Sequence, residues 1–158
     1  MMYKAPFYAV QKAVYRALQK SKIGLEWFDA AVPIEEIAEL HKKQAEFAYG
    51  IIGAQTADCT NNKDLTIWDA NIRLDIYSNY KGKREIAVSL EKLLNYFNGD
   101  GWDELQKSFK ADGYVMIAMT VGALAINTPM YSDVGIWQSG GTQVTFRYSK
   151  PILLFCNA

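Results

Sequence analysis

Strict alternation of apolar and polar residues between Trp68 and Ile76 is the feature that most restricts how this chain folds. Because successive side chains of a strand point to opposite faces, it predicts an antiparallel strand with one face on a core and the other in water. The apolar set is Trp68, Ala70, Ile72, Leu74 and Ile76, and the polar set is Asp69, Asn71, Arg73 and Asp75.

Helical periodicity supplies a second layer for that strand. Apolar residues recur at helical spacing from Pro6 to Lys20 and again from Lys83 to Phe97, so each segment predicts an amphipathic helix. Pro33 to Lys43 shows a third helical pattern with acidic residues in its first turn, which suits the helix dipole. Trp102 to Lys110 indicates only a brief extra helical turn.

Three further segments have the composition of strands. Ala45 to Gln55 is apolar and rich in β-branched residues. Tyr114 to Ile126 is apolar on both faces and therefore predicts a central or sandwiched strand. Apolar and polar residues alternate from Thr142 to Ser149, which predicts a last strand. A polar turn or loop is predicted for Ala57 to Asp64, and a long loop for Asn127 to Gly141. The pattern favours one α+β domain over residues 1–158, a two-layer antiparallel four-stranded sheet with helices packed on one face and a loop extension at 127–141.

Charge and compartment signals exclude several classes of protein. Seventeen basic residues balance seventeen acidic ones, and the basic stretch at Lys81, Lys83 and Arg84 is too small for a nucleic-acid surface. Cys59 and Cys156 form no CxxC pair and are predicted to be reduced thiols. No apolar signal-peptide core is found near Met1, and no apolar run reaches the roughly 20 residues of a membrane span. We expect a soluble protein made in a reducing cytoplasm.

Candidate chemistry is sparse. His41, the only histidine, has no second histidine at metal-pair spacing, and Asn98 to Glu104 departs from a calcium loop at its fifth and sixth positions. Gly50 and Gly53 are too few to cradle a phosphate. We therefore predict no catalytic, cofactor or metal site and expect a protein that is not an enzyme. A small α+β enzyme or ligand-binding domain whose site leaves no sequence signature, and a regulatory adaptor, remain alternatives.

Aromatic residues in the predicted loop suggest an interface. Tyr and Trp bury a large area while keeping a polar atom, and a long apolar loop is a liability unless a partner covers it. The wet face of the alternating strand is the candidate receiving surface. The predicted contacts are Met130, Tyr131, Val134, Ile136 and Trp137 in the loop and Arg73 and Asp75 on the strand.

The order of these segments resembles the tail-completion (tail-terminator) family of tailed bacteriophages. The strand WDANIRLDIYS leads through a turn into the helix of NYKGKREIAVSLEKLLNYF, and VTFRY resembles the closing strand of that family. The matching turn residues are Ser78, Tyr80, Gly82 and Glu85. Gly82 permits a tight turn, and Glu85 falls in a first helical turn, where negative charge is favourable.

This resemblance implies a structural virion protein that forms a homo-oligomeric ring at the head–tail junction, without catalysis. It implies portal or connector proteins above the ring, tail proteins below it, and an enclosed DNA channel without sequence-specific DNA binding. Ala45 and Glu46 stand where the family often has a proline, and Pro33 to Lys43, Trp102 to Lys110 and Asn127 to Gly141 look like additions. A tail terminator and a connector of a short-tailed phage both remain open.

Overall fold

The computed structural model describes residues 7–29, 39, 47–61, 65–132 and 135–151. Predictions on Pro33 to Lys43 (apart from Glu39), Ala45, Glu46, Val134 and Cys156 lie outside the described residues. The helices with described bounds are α1 (Phe7–Lys20), α2 (Arg84–Phe97) and α3 (Asp100–Ala111). The strands are β1 (Glu26–Phe28), β2 (Ala48–Asn61), β3 (Leu65–Ser78), β4 (Val115–Val121), β5 (Ala125–Ile126), β6 (Met130–Ser132) and β7 (Gly135–Pro151).

The sheet has seven strands within these ranges and follows the order β1-β2-β3-β7-β4. β1 lies parallel to β2, and the other pairs are antiparallel. β3 pairs with β7 from Leu65 opposite Pro151 to Ser78 opposite Gln138. β4, β5 and β6 pair with successive parts of β7. The α+β class is confirmed, but the prediction of four strands is wrong, because segments expected to be a loop or a single strand form additional short strands.

The helices cover one face of this sheet. The apolar residues of the alternating strand point to that face, and Ile72, Leu74 and Ile76 are fully buried there, whereas Trp68 is half-buried. A Cβ added at Gly140 of β7 would lie 2.5 Å from Ile86 Cγ2, so the missing side chain lets α2 approach the sheet closely. The predicted packing of α2 on this face is confirmed. Its buried apolar residues are Ile86, Leu90, Leu93 and Phe97, with Leu94 half-buried.

The segment predicted as a brief helical turn is the full helix α3. Its apolar face is narrow, since Leu105 and Phe109 are its fully buried apolar side chains. Phe109 stacks on Tyr148 of β7 at 5.1 Å between ring centroids. α3 is also tied to α1, by Lys12 Nζ to Asp112 Oδ1 and Lys20 Nζ to Glu104 Oε2, both at 2.8 Å. Tertiary contacts thus stabilise a helix that buries few apolar side chains of its own.

Two strand predictions also need correction. β2 extends to Asn61, into the segment predicted as a polar loop, because it pairs with β3 as far as Asn61 opposite Thr66. The segment Tyr114 to Ile126 forms β4 and β5, and β4 lies at the edge of the sheet rather than at its centre. Its outward apolar side chains are not covered by the described part of the chain, and Val115 remains 51% exposed. Apolarity on both faces therefore does not mark a central strand here.

Candidate subunit interface

The segment predicted as the long loop Asn127 to Gly141 is largely a β-hairpin. β6 pairs with the start of β7, with Met130 opposite Trp137 and Ser132 opposite Gly135. Gly135 has φ of +122°, which favours glycine at the turn. Gly141 lies within β7, and a Cβ there would come 2.5 Å from Asp75 Oδ1. Gly140 and Gly141 therefore make space for neighbours and do not act as hinges.

The predicted interface side chains of this hairpin divide into two groups. Tyr131 is 80% exposed, and Met130 and Ile136 are about half exposed. Trp137 is half-buried against the protein's own sheet. Three large apolar side chains thus point into solvent from a hairpin held at its base, an arrangement that favours burial against a partner.

Trp137 belongs to an aromatic cluster on the sheet face opposite α1, α2 and α3. It makes edge contacts with Phe47 and Tyr49, at 5.6 and 6.0 Å between ring centroids. Tyr49 stacks on Tyr77 at 5.5 Å and meets Phe28 edge-on at 6.2 Å. These five rings come from β1, from β2 and the residue before it, from β3 and from β7, so they fasten the base of the hairpin to four strands. Sequence reasoning missed this cluster, although Phe47 and Tyr49 share a strand face by their two-residue spacing.

Burial keeps the phenols of this cluster protonated. Desolvation raises the pKa of Tyr49, and the neighbouring Tyr77 raises it further. The pKa of Tyr77 is raised by burial and by the Asp75 carboxylate, against a smaller lowering by Arg73. Both hydroxyls therefore remain neutral hydrogen-bonding groups at physiological pH, and neither is poised as a base.

Arg73 and Asp75 lie on the open face of β3, as the alternation predicts. Arg73 Nε donates to Asp75 Oδ1 at 2.9 Å, and the Asp75 carboxylate fits beside Gly53 and Gly141 on the flanking strands. Further along the same face, Arg147 Nε donates to Asp69 Oδ1 at 2.8 Å. These are exposed ion pairs, which contribute little to stability and leave the face polar and locally neutral. Such a surface suits a polar contact better than the binding of a polyanion.

The turn that carries the family resemblance is a structural junction between β3 and α2. Ser78 is buried, and its Oγ accepts a hydrogen bond from the Tyr80 backbone N–H at 3.1 Å. Gly82 has φ of +82°, and Glu85 lies in the first turn of α2, both as expected. The four motif residues therefore direct the chain from the sheet into its main packing helix. None of them reaches the exposed tip of the hairpin.

An apolar sheet edge is the surface that sequence reasoning missed most clearly. Val115, Ile117, Leu124 and Ile126 are all exposed along β4, β5 and the residue before β5. A second exposed aromatic set, Phe7, Tyr8 and Tyr15, lies on α1. The signal for the edge is present in the sequence, because residues 113–132 contain no charged side chain. That composition equally suits the central or sandwiched strand that the sequence predicts for Tyr114 to Ile126.

The described ranges contain no candidate metal centre. No group of three or more His, Cys, Asp or Glu side chains is arranged there to hold a metal ion.

An open groove of about 620 Å³ runs between α3 and β4, lined among others by Lys107, Lys110, Tyr114 and Val115. Cys59 is exposed on β2, and His41 lies outside the described residues. No described helix is long and apolar enough to cross a membrane.

Comparison with known proteins gives a likeness of fold. Neither the comparison with protein-family models nor that with curated proteins gave a match. Among solved structures, a chain of one described as "Virion of native gene transfer agent (GTA) particle" superposes with a TM-score of 0.52. The superposition covers 93% of this chain and 99% of the other, at 12% sequence identity. The two chains therefore share a fold over nearly their whole lengths.

Proposed function

We propose that this chain is a structural protein of a tailed, phage-like virion and that it forms a homo-oligomeric ring at the head–tail junction. The observation that carries the proposal is the fold shared with a chain of a gene transfer agent virion over 93% of this chain. The resemblance of the β3–α2 junction to the tail-completion family supports the same assignment independently, because it depends on sequence motifs.

The distribution of exposed apolar residues supports assembly. A subunit of a ring must present two different patches, one on each side, that meet when the rotation closes. The hairpin of β6 and β7, with Tyr131 and Ile136, is one projecting patch. The open face with Arg73 and Asp75 is a second, polar patch. Large exposed aromatic and aliphatic side chains on a projecting hairpin are typical of such contacts.

The proposed partners follow from the location. Other copies of this chain form the ring, portal or connector proteins lie above it and tail proteins below it. The ring encloses the DNA channel without reading sequence, in keeping with the balance of seventeen basic and seventeen acidic residues. In this proposal the chain performs no catalysis, is made in the host bacterial cytoplasm and ends in the virion.

Incorporation into particles tests the proposal. Tyr131→Ser and Ile136→Ser would remove the apolar tip of the hairpin while leaving Trp137 and its aromatic cluster in place. We expect the double variant to have the same midpoint of denaturant unfolding as the wild type and to be absent from purified particles. Glu91→Ser with Lys92→Ser, at two exposed positions on α2, is the matched control and should enter particles normally.

Two outcomes would contradict the proposal. A wild-type chain that is absent from particles, by mass spectrometry of purified virions, would refute the virion role. A double variant that enters particles as well as the wild type would refute the role of the hairpin while leaving the virion role intact.

A further inference from the structure

The two edges of the sheet share a feature that the proposed function does not by itself require. On one side, β4, β5 and β6 run along β7, and no described strand pairs with their outer edge. On the other side, β1 pairs with β2 only from Tyr49 to Ile51, so residues 52–61 of β2 have no outer strand among the described residues. Within the described ranges, the sheet therefore has an unpaired edge at each of its two ends.

Open edges are normally protected in natural proteins. Charged side chains, especially lysine, or covering segments prevent one edge from pairing with another. Here residues 113–132 carry no charge at all, and Asp58 is the only charged residue in β2. The edge at β4 also exposes Val115 and Ile117. Each edge has one irregularity of register, between Met116 and Ala118 in β4 and between Ile52 and Gln55 in β2. Edges of this composition are open to pairing with another strand.

Strand directions decide which pairing a head-to-tail contact would produce. β2, β3, β7 and β4 alternate in direction, so β2 and β4 run in opposite directions. When a second copy continues the sheet in the same orientation, the β4 edge of one copy lies antiparallel to the β2 edge of the next. Antiparallel ladders are slightly more stable per residue than parallel ones. The helices of both copies then cover the same face of one continuous sheet.

We propose that the outer edge of β4 and β5 pairs with residues 52–61 of β2 in a second copy of this chain, so that one β-sheet continues across the subunit boundary. The inference rests on the proposed ring and adds a backbone contact to the two side-chain patches proposed for it. About ten residues opposite about ten residues form roughly ten backbone hydrogen bonds, the number that a typical protein–protein interface carries. The exposed side chains of Val115 and Ile117 would add apolar burial to this ladder.

A complementation experiment tests the pairing. Ile117→Lys places a charge on the β4 edge, and Ala54→Lys places one on the β2 edge; both positions are exposed. We expect the wild type to associate in sedimentation equilibrium at about 1 mM, a concentration at which a dissociation constant of about 1 mM is detectable. Each variant alone should weaken association at least tenfold. An equimolar mixture should form heterodimers, because each variant retains the edge that the other has lost.

The control and the contrary outcomes separate the pairing from the virion role. Tyr8→Lys, on the exposed face of α1, should associate like the wild type. Homodimers of Ala54→Lys would show that two β4 edges pair with each other, and undiminished association of both variants would show that neither edge is used. A wild type that enters particles yet stays monomeric at about 1 mM also overturns the pairing. Thr120→Lys replaces Ile117→Lys if circular dichroism shows that the latter does not fold.

Discussion

Replacing Gly140 by alanine tests the close packing of α2 on the sheet. The added Cβ would lie 2.5 Å from Ile86 Cγ2, 2.8 Å from the Ala125 carbonyl oxygen and 3.3 Å from Leu90 Cδ1. Gly140 does not have a positive φ, so the backbone accepts alanine and the effect is one of space alone. The contact with Ala125 involves backbone, so its relief requires β5 or β7 to move.

The size of the effect follows from two opposing contributions. Overpacking a core costs about 1–3 kcal/mol, and the backbone contact places this site near the upper end of that range. Alanine restricts the unfolded chain more than glycine does, which stabilises the folded state by about 0.4–1 kcal/mol and offsets part of that cost. We expect a net loss of about 2 kcal/mol in the free energy of unfolding. For a chain of this size, that lowers Tm by about 4–8 °C.

Urea denaturation followed by far-UV circular dichroism measures this loss. Gly53→Ala is the matched control, since its nearest contact is the end of the Asp75 side chain at 3.3 Å, and it should change stability much less. Adding Ile86→Ala removes the methyl group in conflict, so the double variant should be more stable than the sum of the single effects predicts. Gly140→Ala with wild-type stability, or strict additivity with Ile86→Ala, would refute the packing argument.

Three further predictions concern other parts of the molecule. Leu90→Ala, at a 3% exposed position of α2, should cost about 2–5 kcal/mol by leaving a cavity, measured by the same denaturation; a loss below 1 kcal/mol would contradict the packing of α2. Tyr148→Phe should not destabilise the protein at neutral pH, because the buried hydroxyl has no hydrogen-bond partner among the described residues. Burial raises the pKa of Tyr148, with smaller effects from Tyr114 and Cys59. As pH rises above the ordinary tyrosine value of 10.0, the phenol therefore ionises first in the unfolded state, and the wild type should lose stability relative to Tyr148→Phe. Parallel plots of the free energy of unfolding against pH for the two proteins would argue against this account. His41→Ala, Cys59→Ser and Cys156→Ser should each leave particle assembly unchanged, and a loss of infectivity with normal folding would reveal an unrecognised chemical role.

Local periodicity predicted the parts of the fold that depend on local geometry. The alternation around Ile72 identified the buried and open faces of β3, and helical spacing identified α2 and its stripe. Both signals are strong because each element buries one face against its own chain. The same reasoning placed Arg73 and Asp75 on the open face.

The remaining features depend on contacts that a single segment does not encode. Residues 114–126 are apolar on both faces, and the sequence alone does not distinguish a central strand from an edge that another chain covers. Gly140 and Gly141 resemble loop glycines, yet Ile86 and Asp75, distant in sequence, require them. The aromatic cluster joins Phe28 to Trp137, so no local pattern contains it.

The position of β7 in the sheet determines when during synthesis the sheet can be completed. β7 is the last described strand in sequence, yet it lies between β3 and β4 and contributes Val144, Phe146 and Tyr148 to the core. A chain that lacks β7 therefore has no central strand: its β4 has no partner, and its β3 pairs only with β2. Folding waits for this long-range closure, which makes it slow and leaves incomplete chains to chaperones and proteases. Only a chain that extends through β7 can therefore form the complete sheet.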